Sequence, residues 1–340
     1  MQPTSLVTGA TGFLASHVVD QLLKAGHRVI GTVRSPTKAA RLAEAFNTQI
    51  ASGQLELETL SDVRNAGEFQ VIFEKHPEIK YILHTASPFN YNTTDPEKEM
   101  LQPAVEGTTT VLKAAKAYAH NVEKVVITSS LAAILNIATF NDPSTTLTEK
   151  DWNPITSEQA AEKGNPFANY IGSKAMAEKA SVEFEKTEKP KFKLTWVNPV
   201  LILGPGIILD PQAINTSNEA IANALATKPG QKAPVKAGYF VDVRDCAKAH
   251  VSALQPELDG RRLFLSTSKY CTQDFLKIAG EMPEFKGKIA EFDPAEREKE
   301  LHPLAQIDNS VTLKLLNYDL ISLDQSVTDF AKEWLSYQKE

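Results

Sequence analysis

Thr8-Gly9-Ala10-Thr11-Gly12-Phe13-Leu14-Ala15 follows directly on a short apolar run, Ser5 to Thr8. A helical pattern of Val18, Val19, Leu22 and Leu23 comes next, Gly26 closes it, and Val29 to Val33 begins a second strand. Strand, glycine turn, helix and strand in that order make a β-α-β unit. The glycines let the backbone turn tightly and approach a pyrophosphate, whose charge the helix N-terminus stabilises. The spacing is G-x-x-G-x-x-A, with Ala15 as the small third residue that lets helix and strand pack closely. This reading sets Gly9, Thr11, Gly12, Phe13 and Leu14 against a dinucleotide.

Outward from the turn, the second strand ends in Thr32-Val33-Arg34-Ser35. An acidic residue there would accept from the ribose hydroxyls and select NAD. The site offers Arg34 instead, with Lys38 and Arg41 close behind. A guanidinium suits a 2′-phosphate, so the expected cofactor is NADPH/NADP. Leu55 to Thr59 reads as a third strand, followed by Asp62-Val63 beside the adenine; Asp62 accepts from its amino group or caps a helix. Tyr81 to His84 is a fourth strand, leading into Thr85-Ala86-Ser87-Pro88-Phe89. Small residues such as Ala86 let that loop pass under the cofactor, and Phe89 is placed to face a substrate. A helical stretch from about Pro96 to Ala119 precedes the fifth strand, Val125 to Thr128, which ends in Ser129-Ser130, and Lys193 to Asn198 is the sixth. Strands alternating with helices predict the α/β class, a Rossmann-type doubly wound parallel sheet. Ligands bind beyond the C-terminal strand ends of such a sheet, where the glycine turn, Arg34, Asp62, Ala86, Thr128 and Ser130 all lie.

A second motif is Tyr170-Ile171-Gly172-Ser173-Lys174. A tyrosine and a lysine four apart share one helix face. A phenol holds its proton to about pH 10. A nearby ammonium lowers that value and makes the tyrosine a usable proton donor.

Beyond Leu201 the alternation fades into helices at about 215–226 and 243–254 around a Pro229-Gly230 break. The expected organisation is a nucleotide-binding domain over 1–200, with about 237–255 returning to it. A smaller C-terminal α/β substrate lobe takes 201–236 and 256–340. The polar stretch from Asn136 to Asn169 joins Ser130 to Tyr170 and should wall the site, with Trp152 as its anchor. A chain of 340 residues with 42% hydrophobic content supports this much core. The net charge of -6, with no basic block, argues against nucleic-acid and anionic-membrane partners. No apolar run nears the roughly 20 residues that span a bilayer, and the N-terminus has no signal-peptide pattern. Cys246 and Cys271 read as free thiols in a reducing cytosol, so a cytoplasmic location is expected. The seven histidines have no metal-ligand spacing, and no catalytic metal is expected.

The glycine turn, Leu83-His84-Thr85-Ala86-Ser87-Pro88-Phe89, Val125 to Ser130, Glu149-Lys150-Asp151-Trp152-Asn153-Pro154 and Tyr170 to Lys174 carry a resemblance. So do Val197-Asn198-Pro199-Val200, Gly204-Pro205 and Val241 to Asp245. The chain resembles the extended short-chain dehydrogenase/reductase superfamily, in the branch of dihydroflavonol reductases, cinnamoyl-CoA reductases and yeast NADPH-dependent carbonyl reductases. Within that branch it is similar to the yeast methylglyoxal (isovaleraldehyde) reductases. The resemblance implies a catalytic set of Ser130, Tyr170 and Lys174. Ser130 would hold the substrate carbonyl oxygen, Tyr170 would donate the proton, and Lys174 would bind the nicotinamide ribose. It also implies backbone contact of Pro199 and Val200 with the carboxamide. Ser217 either touches the phosphates or caps the next helix. An asparagine common in this branch is here Thr110, so that position receives no role.

The expected pocket residues are Phe89, Leu131, Leu135, Phe167, Leu201 and Phe240, an apolar set that favours small-molecule aldehydes and ketones over acyl-CoA or sugar nucleotides. Methylglyoxal-, isovaleraldehyde-, diketone- and keto-ester-like carbonyls all suit it. Reduction of such a carbonyl is the leading expectation. A sugar-nucleotide epimerase or dehydratase and a non-catalytic NADP(H) sensor are the alternatives. Monomer and homodimer both stay open.

Overall fold

The structure is a computed structural model that describes residues 2–34, 36–87, 93–208, 214–301 and 303–337. Its first strand, β1 (Thr4–Thr8), is buried along its whole length. Both faces of a parallel sheet are covered by helices, so such a strand needs no polar-apolar alternation. Two of its buried hydroxyls meet histidines: Ser5 Oγ and His27 Nδ1 are 2.8 Å apart, and Thr8 Oγ1 and His84 Nδ1 2.9 Å. From the glycine turn the chain runs through α1 (Phe13–Lys24), β2 (Arg28–Val33), α2 (Pro36–Ala45), α3 (Asn47–Ala51), β3 (Leu55–Thr59), α4 (Ala66–Lys75) and β4 (Ile79–His84). A π-helical turn, Glu97–Leu101, enters α5 (Gln102–Tyr118), and β5 (Lys124–Thr128) follows. Next come β6 (Thr146–Leu147), α6 (Ser157–Ala160), α7 (Pro166–Glu188) and β7 (Lys193–Pro199). The remainder holds β8 (Leu201–Leu203), α8 (Glu219–Ala226), β9 (Ala237–Asp242), α9 (Val243–Ser252), β10 (Arg262–Leu265), β11 (Ser268–Cys271) and α10 (Thr272–Gly280). It ends with α11 (Pro294–Glu300), β12 (Gln306–Ile307), α12 (Ser310–Leu316) and α13 (Leu323–Tyr337).

The chain forms two compact units. One comprises Met1–Asn136, Thr148–Asn198 and Ala247–Phe264. Its seven-stranded sheet has the order β10-β7-β5-β4-β1-β2-β3, and the pairs β1-β2, β2-β3, β1-β4, β4-β5 and β5-β7 are parallel. This is the doubly wound α/β fold expected from the alternation. The order reverses between β1 and β4, the point where such sheets open a crevice. The core beneath is built from Leu6, Ile30, Phe69, Phe73, Ile82, Val125 and Trp196. The Trp196 indole N–H donates to Ser181 Oγ at 2.8 Å, which allows so large a ring to be buried.

The other unit comprises Ile137–Leu147, Pro199–Cys246 and Leu265–Glu340. It holds a three-stranded sheet, β11-β9-β8, and the short pair β12-β6. Leu203, Ile221, Phe240, Phe275 and Phe330 pack its core. Asp242, with no exposed side-chain surface, accepts from Arg244 Nε and Nη2, each at 2.8 Å, and Arg244 Nη1 reaches Asp329 at 2.6 Å. The stretch 237–255, expected to return to the large sheet, divides instead. Its strand β9 pairs with β8 and β11, which bury Tyr239, Phe240 and Val241. The edge of the large sheet is taken by β10.

Neither cysteine is in a disulfide, and both are buried. Burial pushes the Cys271 thiol up to about 12 and raises Cys246 further, so both stay protonated at neutral pH. Among the described residues no helix is long and apolar enough to cross a membrane.

Candidate active site

The turn after β1 is shaped by one residue in particular. Gly9 has φ +69°, in the left-handed region, and a Cβ there would stand 3.1 Å from the Ala86 Cβ. Its N–H donates to Thr32 Oγ1 at 3.0 Å, and the Gly12 N–H donates to the Gly9 carbonyl at 2.9 Å. Thr85 Oγ1 donates to the Thr8 carbonyl, and the Ala86 N–H donates to Thr8 Oγ1 at 3.2 Å. The C-terminal ends of β1, β2 and β4 are thereby tied together at the switch point. Gly12 is the N-cap of α1, and no side chain caps this end, which leaves its N–H groups for an anion.

A cleft of about 720 Å³ opens over this turn. Gly9, Thr11, Gly12, Phe13, Leu14, Arg34, Asp62, Val63 and Ala86 line it, all anticipated from the sequence. The side chain of Lys38 and all of Phe89 lie outside the described residues. Thr32, Ser61, Arg64, Ser87 and Lys98 also line the cleft and were not anticipated. Arg64 matters most. Its Nε and Nη2 grip the Asp62 carboxylate at 3.0 and 2.6 Å, and its backbone N–H donates to Asp62 Oδ1 at 2.9 Å. Arg64, with Arg34 nearby, holds that carboxyl below its usual range. The cleft's one wall thus carries two guanidiniums around one carboxylate. An Asp followed two residues later by Arg was the available signal.

Ser130 and Lys174 belong to the same unit, as does Tyr170. Ser130 begins a 3₁₀ turn, Leu131–Ala133, and its Oγ accepts the Ala132 N–H at 3.1 Å. That bond uses a lone pair and leaves the hydroxyl proton to donate elsewhere. Its neighbour Ser129 is buried and donates to Glu178. Tyr170 is half-buried one turn before Lys174 on α7, a helix that starts on the Asn165 cap and Pro166. Burial pushes the Lys174 ammonium down from 10.5 to about 8. Burial, with the Lys174 charge second, pushes His84 down to about 4, so this imidazole is neutral at pH 7. Thr128 Oγ1 is engaged with His250 Nε2 at 2.7 Å.

The described members of the expected pocket set fall in both units. Leu131 is half-buried and Phe167 is 54% exposed, but Leu135 retains only 4% exposure. Phe240 has none and Leu201 packs partly against the same core, both in the second unit. Leu135 and Phe240 offer no face to a substrate, because apolar residues at strand and turn positions were claimed by packing. Pro199, Val200 and Ser217 also belong to the second unit. Ser217 Oγ accepts from Asn215 Nδ2 at 2.7 Å, and the cap of α8 is Asn218 rather than Ser217. Trp152 anchors its loop: the Arg262 guanidinium lies 3.9 Å over its ring and holds the Glu149 carbonyl at 2.8 Å. Among the described residues one cluster has a metal-type donor set, Glu56, Glu58 and His76. None of the three lines the cleft, and Lys75 and Arg28 already pair with its carboxylates.

A family model described as the NAD dependent epimerase/dehydratase family matches residues 5–263. The NADPH-dependent methylglyoxal reductase GRE2 of Saccharomyces cerevisiae is 40% identical over 340 residues, covering 98% of each chain. The crystal structure of Gre2 from Candida albicans in complex with NADPH aligns with a TM-score of 0.92 at 41% identity, over 98% of this chain and 99% of that one. The yeast methylglyoxal/isovaleraldehyde reductase Gre2 complexed with NADPH aligns with a TM-score of 0.91 at 38% identity, over 99% of both.

Proposed function

Since the chain belongs to the NAD dependent epimerase/dehydratase family, we propose that it is an NADPH-dependent reductase of small aldehydes and ketones, with Ser130, Tyr170 and Lys174 as its reacting set. The observation that carries this reading is Arg34, which lines the cleft just past the end of β2, where a lone acid would select NAD. A 2′-phosphate suits the Arg34 guanidinium, while the Asp62 carboxylate on the same wall is neutralised by Arg64. The turn fits as well, since Gly12 begins α1 with no side-chain cap and leaves the first N–H groups of the helix for the pyrophosphate charge. When bound, the cofactor supplies a hydride from its nicotinamide ring.

The chain's own residues supply the rest. Negative charge grows on the carbonyl oxygen as it is reduced, and donors aimed there stabilise the transition state more than the ground state. Ser130 serves in that role, because its lone pair is already used by Ala132 and its proton is free. Ser129 does not, because its hydroxyl is committed to Glu178. Tyr170 gives its proton to the oxygen. Lys174, one turn on, favours the phenolate that remains. Methylglyoxal and isovaleraldehyde, the substrates in the relatives' names, are the first candidates here. Two cysteines outside any disulfide suit a reducing compartment, in line with a cytoplasmic enzyme.

The test is loss of NADPH absorbance over methylglyoxal, isovaleraldehyde, a diketone and an aromatic keto ester, with NADH in parallel and Tyr170→Phe beside the native enzyme. NADPH-specific turnover that Tyr170→Phe abolishes while still binding NADPH is the expected result. Full turnover by Tyr170→Phe would remove the tyrosine from its role. Tight NADPH binding without turnover on any carbonyl would favour a sensor.

A further inference from the structure

Beneath Ser130 lies a buried ion pair that the reaction chemistry does not use. Glu178 sits on α7, one turn after Lys174 and two after Tyr170, and is 1% exposed. Such a carboxylate is tolerated only with a full set of donors. Here Arg262 Nε donates to Oε1, while Ser129 Oγ and Asn198 Nδ2, the latter at 2.7 Å, donate to Oε2.

The same partners grip the backbone at Ser130 and at the end of the turn it starts. Asn198 Nδ2 also reaches the Ser130 carbonyl at 3.3 Å. Arg262 Nη2 holds the Ala133 carbonyl at 3.3 Å, at the end of the turn that Ser130 starts. Asn153 Nδ2 holds the Ala132 carbonyl at 2.8 Å. Each bond starts from a different strand or loop, and the carboxylate that joins Asn198 to Arg262 is carried by the helix of Tyr170.

We propose that Glu178, through its pair with Arg262, is a positioning residue that fixes the distance between Ser130 and Tyr170. This rests on the reading of Ser130 and Tyr170 as reacting groups. The glycine turn and the arginines at the phosphate end lie on other elements, and Lys174 shares α7 as part of the proposed reacting set; the pair therefore governs the oxygen donors while the NADPH affinity supplied at the phosphate end is retained. A general stabilising role would weaken both together.

Glu178→Gln keeps the volume and one acceptor oxygen, removes the charge and leaves Arg262 unpaired. The expected result is a fall in kcat of about 10²-fold, the cost of roughly 1 Å of misplacement. KM for NADPH and the Kd from NADPH fluorescence stay at the native values. Native-like kcat in folded Glu178→Gln overturns the proposal, and so does a parallel loss of kcat and NADPH affinity. Should that variant not fold, Ser129→Ala decides: it removes one donor, and a drop in kcat at unchanged NADPH Kd is expected, while native kcat overturns the idea. Tyr170→Phe, assayed alongside, separates the two levels. If it stays active the reacting set is wrong, whereas an inactive Tyr170→Phe beside a native-like Glu178→Gln sinks the positioning role alone.

Discussion

Lys174 shows how function and stability oppose each other at one residue. Its ammonium titrates at about 8 in the fold against 10.5 ordinarily. Between those values the unfolded chain binds more protons, so stability rises as pH climbs from about 8 to about 10.5. Below pH 8 the buried charge costs roughly 3 kcal/mol. Lys174→Met is therefore expected to raise Tm at pH 7, to lose that gain by about pH 10.5, and to have no useful turnover; melts at the two pH values and an NADPH assay check it. Arg34 works in the opposite sense. Its loss in Arg34→Ala forfeits charge-assisted bonds of about 1.5–3 kcal/mol, so the NADPH Kd is expected to rise about 10-fold or more with NADH unaffected, as titration of both cofactors would show. Arg34 was legible because it stands next to a strand end. Arg64 was not, because a guanidinium gripping the Asp two residues earlier looks like any surface pair. His84 was hidden too: the Lys174 charge that helps keep it neutral lies 90 positions further along the chain, which sequence spacing does not report.

At the scale of the element, α7 depends on one missing methyl group. Gly172 lies between Tyr170 and Lys174, and a Cβ there would come within 2.2 Å of the Ala160 Cβ and 3.2 Å of its Cα. Asn169 Nδ2 pins the same segment through the carbonyls of Ala160 and Glu162, at 2.7 and 2.8 Å. The helix therefore has no room to retreat. Gly172→Ala is expected to cost about 1–3 kcal/mol as overpacking and to cut turnover by displacing Tyr170, read from a melt and a kcat measurement. Gly280→Ala, at the end of α10 where an added Cβ meets nothing within 4 Å, serves as the neutral control. The helices and strands before Ser130 were readable from period and turn residues. The long segment from Asn136 to Asn169 was not, although Thr156 and Gln159 spell the capping box that starts α6. Four helical residues are too few to register as a periodic pattern.

For the whole molecule, the second unit rests on Asp242, a carboxylate with no exposed surface. Arg244→Ala would leave it buried without its partner, at an expected cost of about 3–5 kcal/mol and a clearly lower Tm, while activity of the remaining folded enzyme at 25 °C persists. The doubly wound sheet followed from local alternation. The placing of Ala237–Asp242 in a separate sheet did not, because an apolar strand looks the same whichever neighbours it pairs with. The pairing of Glu178 with Arg262 has a further consequence, one of timing. The two residues are 84 apart in sequence. A ribosome adding roughly 5–20 residues per second makes the carboxylate roughly 4–17 s before the guanidinium that neutralises it. Until then α7 carries an acid with nowhere dry to go, and β10, the sheet's edge, does not yet exist. A nascent chain released or stalled before residue 262 therefore holds the turn, Ser130 and Tyr170 yet lacks the pair proposed to fix their spacing, and it is expected to be inactive.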